Sequence, residues 1–285
     1  FLSALLLVGG SLGDRYGRRR IFLAGVVLFA VASAACGISA NITQLVIARA
    51  LQGIGGALLV PGSLAIITAS FAEGERGKAI GTWSALAAIT TAGGPLLGGW
   101  ILERASWHWL FLINIPIAIL VVIVTKRGVP ESRNTDVTGR MDWLGGGLAT
   151  IGLGGLVYAV VESSNSDFLT PHLLGAAAIA LFALVLFGFV YRRASSPMVP
   201  TSLFGSGTFL GANLLTLFLY AALIGAIFFL PFNLIQVRGY KPTEAGASLL
   251  PFVAMLFLFS RAAGRLSDRI DPRVMLTSGP IVVAI

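Results

Sequence analysis

Eight stretches of apolar sequence follow one another along the chain, and each is long enough to cross a lipid bilayer. They occupy residues 21–38, 43–71, 79–102, 107–125, 143–161, 170–191, 209–230 and 245–264. A crossing takes about 20 predominantly apolar residues. Inside hydrocarbon no water can satisfy a free backbone amide, so an open chain that crosses must be helical. The sequence therefore predicts an all-α polytopic membrane protein. The charge content agrees: 11% of residues are charged, against about 25% in soluble domains. So few charges cannot cover a soluble surface on a chain of this length. The 35 glycines suit membrane helices, in which small residues let backbones approach closely.

The chain opens on Phe1-Leu2-Ser3-Ala4-Leu5-Leu6-Leu7-Val8 and stops at Ile281-Val282-Val283-Ala284-Ile285, inside apolar runs. Both read as partial spans, so the sequence predicts eight complete spans between two truncated ones. The net charge of +8 would raise nucleic acid as a partner in a soluble protein. Here the basic residues fall on alternate loops. One set holds Arg15, Arg18, Arg19 and Arg20, then Arg76 and Lys78, then Lys126, Arg127, Arg133 and Arg140, then Arg192 and Arg193, then Arg261, Arg265, Arg269 and Arg273. The other holds Arg104, Arg238 and Lys241. Cytoplasmic loops carry the excess of Lys and Arg, so the first set is predicted cytoplasmic. The lipid bilayer is then the implied partner, and nucleic acid is not. Cys36 is the single cysteine, which excludes an internal disulfide.

The loop Gly10-Ser11-Leu12-Gly13-Asp14-Arg15-Tyr16-Gly17-Arg18-Arg19-Arg20 joins two apolar segments by a tight turn, for which Gly13 and Gly17 provide freedom. A topology signal alone needs no acid. Asp14 among four arginines argues for an added role, as an ion-pair partner or as a cap on a neighbouring helix N-terminus. The pattern returns 254 residues later as Gly264-Arg265-Leu266-Ser267-Asp268-Arg269, as two related halves would produce.

The first loop resembles the signature between the second and third spans of the major facilitator superfamily. That resemblance implies a latch between two halves, with Asp14 as its carboxylate, supported by Gly10, Arg15, Gly17 and Arg18. The second copy (Gly264, Asp268, Arg269) departs from the pattern, since Asp271-Pro272 replaces Gly17-Arg18.

Arg49 lies about six residues, ~9 Å of helix rise, inside its span. An arginine at mid-helix costs ~2.5–3.5 kcal/mol on insertion scales, so it faces a cavity or a partner unless it reaches the interface. The stretch Leu45 to Ala57, with Gln52 one turn on, resembles the fourth-span signature of the superfamily, which implies a part in proton coupling for Arg49 and Gln52. Arginine cannot release a proton itself; it would lower the pKa of a nearby carboxylate. All twelve acids fall in loops or at span ends, and the resemblance places the usual carrier on a first span.

Gly81 and Gly94-Pro95-Leu96-Leu97-Gly98-Gly99 share the next segment. Pro95 removes a helical hydrogen bond, and Gly94 and Gly98 form a GxxxG face. The string resembles the fifth-span signature of exporters, with Thr90 where that signature has Gly. Trp107 to Pro116 resembles the start of the sixth span of drug:proton antiporters, with His108 in place of Arg. Gln236 to Gly246 resembles an outer loop of the 14-span branch. Eight spans between the two repeat loops, rather than six, also match that branch.

The resemblance implies a major facilitator fold: two helical bundles plus two extra central spans, truncated at both ends. It divides the chain into part of an amino-terminal bundle (1–125), a linker carrying two extra spans (126–200) and part of a carboxy-terminal bundle (201–285). It implies a secondary transporter of the cytoplasmic membrane, exporting drugs or other small amphipathic compounds, driven by a proton gradient with no cofactor and no metal. Trp83, Asn213, Tyr220, Asn233 and Gln52 are the cavity candidates. An uptake symporter is the rival within transport, and the exporter string argues against it. A membrane-embedded enzyme would need clustered His, Cys or paired carboxylates; His108 and His172 lie in separate loops, and no acid pair occurs within a span.

Overall fold

The computed structural model describes residues 2–134, 142–163, 170–193, 205–267, 270 and 272–284. These form helices α1 (Leu2–Tyr16), α2 (Arg18–Gly37), α3 (Ile42–Ser70), α4 (Glu73–Arg104), α5 (Trp109–Leu112) and α6 (Asn114–Gly128). They continue with α7 (Trp143–Glu162), α8 (Pro171–Arg193), α9 (Gly207–Gln236), α10 (Pro242–Ala247), α11 (Leu250–Ser267) and α12 (Pro272–Ala284). No strand occurs among the described residues. Among the described residues, eight helical segments are long and apolar enough to cross a membrane, and they coincide with the eight stretches read from the sequence. The protein is an all-α integral membrane protein.

The departures have local causes. The loop predicted around residues 10–20 shrinks to one residue, Gly17, between α1 and α2. Gly17 has φ 112°, a conformation open to glycine without strain. Gly13 is an ordinary helical residue, so only one of the two expected turn glycines serves as one. The stretch 107–125 is broken at Ile113 into α5 and α6. Pro116 sits in the first turn of α6, where it has no N–H to donate back to Leu112. The last stretch also divides, into α10 and α11. Helix α4 starts six residues before the apolar run, at Glu73; Glu73 and Glu75 suit the positive end of the helix dipole.

Contacts divide the chain into two compact units. The first comprises Phe1–Ile66 and Phe111–Ser202; the second comprises Ile67–Leu110 and Leu203–Ile285. Most buried apolar positions of the first are small, among them Ala32, Cys36, Ala48, Ala57, Ala149, Ala180 and Ala183, beside Val26 and Leu173. Large side chains such as Phe182 and Phe189 face outward, at 69% and 63% exposure. This is the pattern expected where lipid replaces water. Apolar burial drives little association there, and close backbone packing by small residues does.

Candidate functional site

In the first unit α3 carries Arg49 and Gln52 one turn apart. The Arg49 guanidinium donates from Nη1 to Gln52 Oε1 over 2.6 Å, and lies 5.8 Å from the centre of the Phe111 ring. Gln52 is 3% exposed and Ser33 fully buried. Gln52 Nε2 donates to Ser33 Oγ on α2, and Asn114 Nδ2 of α6 donates to the same oxygen over 3.1 Å. Three helices thus hold one polar chain, Arg49–Gln52–Ser33–Asn114. Arg49 ends it at the helix surface, and no ion pair involves Arg49 among the described residues.

The predicted latch also lies in the first unit. Arg18 holds Asp14 by two contacts to Oδ1, from Nε at 2.9 Å and from Nη2 at 2.8 Å. The residue that caps α2, however, is Glu131, from the segment that follows α6. Its Oε1 accepts from Arg19 N over 3.0 Å, and its Oε2 lies 3.8 Å from Arg19 Nε and 3.7 Å from Arg20 Nε. The same segment accepts from Arg19 Nη1 at Val129 O and from Arg18 N at Ser132 O, and donates from Asn134 N to Asp14 O. The capping role expected of Asp14 therefore belongs to Glu131, while Asp14 pairs with Arg18. Arg15 ends α1. Gly10, one turn before Asp14, faces Pro61 of α3, which a β-carbon there would touch at an ordinary 3.7 Å.

In the second unit Gly81, Gly94, Pro95, Gly98 and Gly99 all lie on α4. Gly81 is buried. A β-carbon at Gly94 would meet nothing among the described residues, and one at Gly98 would touch Leu110 at an ordinary 3.7 Å. The close approach is at Gly99, where a β-carbon would stand 3.0 Å from the Pro242 backbone. A cavity of about 490 Å³ opens between α4, α9 and α11. Trp83 and Tyr220 both line it. Asn213 does not; it donates to Phe209 O on its own helix. Asn233 lies near the far end of α9, also away from the cavity. Gly264 belongs to α11, and Asp268 and Arg269 lie outside the described residues.

The Major Facilitator Superfamily profile matches residues 1–285. The chain belongs to that superfamily. Among similar proteins are the multidrug resistance protein Stp of Mycobacterium tuberculosis, 35% identical over 98% of this chain, and the multidrug transporter protein MdtP of Bacillus subtilis, 32% identical over 99%. The tetracenomycin C resistance and export protein of Streptomyces glaucescens is 33% identical over 99%. The chain spans about half the length of these relatives, 52% of each. Their names are those of transporters rather than enzymes.

Within this facilitator chain, sequence reasoning missed Ser33, Asn114 and Glu131. Glu131 had a signal, a lone acid beside Arg133 just after a basic helix end. Ser33 and Asn114 had none, because serine and asparagine are common at membrane helix contacts. Ser84 and Thr91 were missed as lining too, although Trp83, Ser84, Ala87 and Thr91 recur at helical spacing.

Proposed function

We propose that this chain works within a proton-coupled exporter of drugs or other small amphipathic compounds, alternating its access across the cytoplasmic membrane. Residues 1–125 and 201–285 would supply parts of the two bundles, and 126–200 the linker with two extra spans. The observation that carries the reading is Arg49, a permanent charge within a span. Its side chain is set by Gln52, and Gln52 by Ser33. A charge so costly to insert is retained where it acts on something in the membrane. Held in one rotamer, it would favour the ionised form of a facing carboxylate and help its proton leave. The names of the three relatives support export rather than uptake.

The cavity fits the same reading. Its lining includes Trp83, Tyr220, Phe252, Ser84, Thr91 and Ser260, and among the described residues no ionisable group lines it besides the Tyr220 phenol. Such a wall selects by apolar area and ring stacking, with a few hydroxyls for orientation. The latch would be Asp14–Arg18 with Glu131, holding α1, α2 and the end of α6 together on the cytoplasmic side.

The test is efflux in cells stripped of their own pumps. A transporter carrying this chain should lower retention of a fluorescent amphiphile, and a protonophore should remove the effect. Retention that ignores the protonophore would refute proton coupling. Accumulation above the empty-vector level would refute export.

A further inference from the structure

The outer end of α4 is tied to the start of α10, 140 residues away in sequence. Glu103, in the last turn of α4, accepts on one oxygen from the Thr243 hydroxyl at 2.7 Å and from the Thr243 amide at 3.2 Å. One turn earlier Gly99 lets the Pro242 backbone lie where a side chain would otherwise stand. The remaining contacts of α10 do not compete for Glu103. Lys241 N donates to Glu244 Oε2 at 3.0 Å, so α10 already has a carboxylate cap of its own. Glu103 is a second one, brought from another helix. Ala245 of α10 is fully buried.

The position of this contact matters. Thr91 lines the cavity on α4 and Leu249 lines it just beyond α10. From Thr91 to Gly99 the helix rises ~12 Å. The tie therefore lies beyond the cavity along α4, towards the end that carries Arg104, Lys241 and Arg238, the loops read as external. Two parts of the chain that wall one cavity are thus fastened at its external end by two hydrogen bonds and one glycine-wide backbone contact.

We propose that Glu103 and Thr243, seated by Gly99, form an external clasp that must part for the cavity to open outward. The inference rests on the alternating-access reading and adds the residues that close its outer side. Glu103 and Thr243 are positioning residues: they set how often the cavity is open, and they need not touch the transported compound. Removing the acceptor or the donors should shift the resting population towards the open form. One lost hydrogen bond of ordinary strength corresponds to about a fivefold shift.

The experiment uses a transporter carrying this chain, with Cys36→Ala and a reporter Ser84→Cys in the cavity wall. An impermeant maleimide is added outside intact cells. Thr243→Val, which removes the hydroxyl donor and keeps the amide, should raise the labelling rate about fivefold; Glu103→Ala, which removes the acceptor of both bonds, should raise it at least as much, while Thr243→Ser, which keeps both donors, should label like the parent. In a second version without the reporter, Glu103→Cys and Thr243→Cys are bridged by a short reducible bifunctional thiosulfonate. Bridging should stop transport, and reduction should restore it. Unchanged labelling in both Glu103→Ala and Thr243→Val, or undiminished transport by the bridged protein, would overturn the clasp. Faster labelling of Glu103→Ala and Thr243→Val, where the protein without the Ser84→Cys reporter moves no compound, would support the clasp and refute the efflux reading.

Discussion

Glu131 lies so close to Gly17 that a β-carbon on Gly17 would stand 2.8 Å from its carboxylate oxygen. The two residues lie 114 positions apart, yet each requires the other. Glu131 reaches the amide of Arg19 because nothing projects from Gly17. Gly17 can turn the chain between α1 and α2 because it tolerates φ 112°.

Gly17→Ala should therefore fail twice, by backbone strain of about 1–3 kcal/mol and by displacing the Glu131 cap. Glu131→Gln is the milder change. It keeps an acceptor for Arg19 N and loses only two partly exposed ion pairs of 3.8 and 3.7 Å, worth less than about 1 kcal/mol each. Thermal unfolding in detergent should rank the proteins parent, Glu131→Gln, Gly17→Ala in falling order. A Gly17→Ala protein as stable as the parent would mean the turn can be made another way.

Ser33→Ala removes an acceptor used by both Gln52 and Asn114. Interhelical hydrogen bonds in membranes are worth about 0.6–2 kcal/mol, and two donors would be left without their partner. Destabilisation of about 1–3 kcal/mol is expected, measured by denaturation in mixed micelles. Asn114→Ala removes one donor only and should cost less. The reverse order would show that Ser33 is not the centre of the chain.

The number and position of the spans were legible because the bilayer imposes one length and one secondary structure on any crossing segment. An ion pair for Asp14 was legible because it is a lone acid among four arginines, and Arg18 was named through the resemblance. Glu131 was not, since its role depends on where the segment after α6 runs, and no local pattern fixes that. Cavity candidates divided for a similar reason. Trp83 and Tyr220 are large and sit where α4 and α9 face α11, whereas the Asn213 amide is used up by its own helix. The GxxxG pair at Gly94 and Gly98 pointed to the right helix, but the backbone contact falls one position further on, at Gly99. Membrane helices contain many glycines, so only three-dimensional packing tells which one is approached.

Topology gives a direct check on orientation. Asp14, Arg18 and Glu131 gather at one end of the first unit, amid Arg19, Arg20, Lys126 and Arg127. In the second unit Glu103 meets Thr243 beside Lys241. Cysteines at positions 14 and 131 should resist an impermeant maleimide applied to intact cells and react after permeabilisation. Cysteines at 104 and 241 should react from outside. Labelling of position 14 in intact cells, or protection of 241, would invert the assignment.

Arg49 offers the sharpest separation of charge from shape. Arg49→Ala removes the guanidinium, its 2.6 Å bond to Gln52 and its place near Phe111. It should abolish proton-coupled export while insertion and expression persist, because losing a charge from a span lowers the insertion cost. Arg49→Gln retains a donor for Gln52 and discards the charge. Arg49→Lys retains the charge but discards the planar fork that can bond Gln52 while lying near a ring. If Arg49 acts electrostatically on a carboxylate, Lys should keep part of the gradient-driven activity and Gln none. If it serves only to position Gln52, Gln should outperform Lys. Measuring efflux against an imposed pH gradient in vesicles, with downhill exchange as the control for folding, decides between them. Export at the parent rate by Arg49→Ala would end the coupling role altogether.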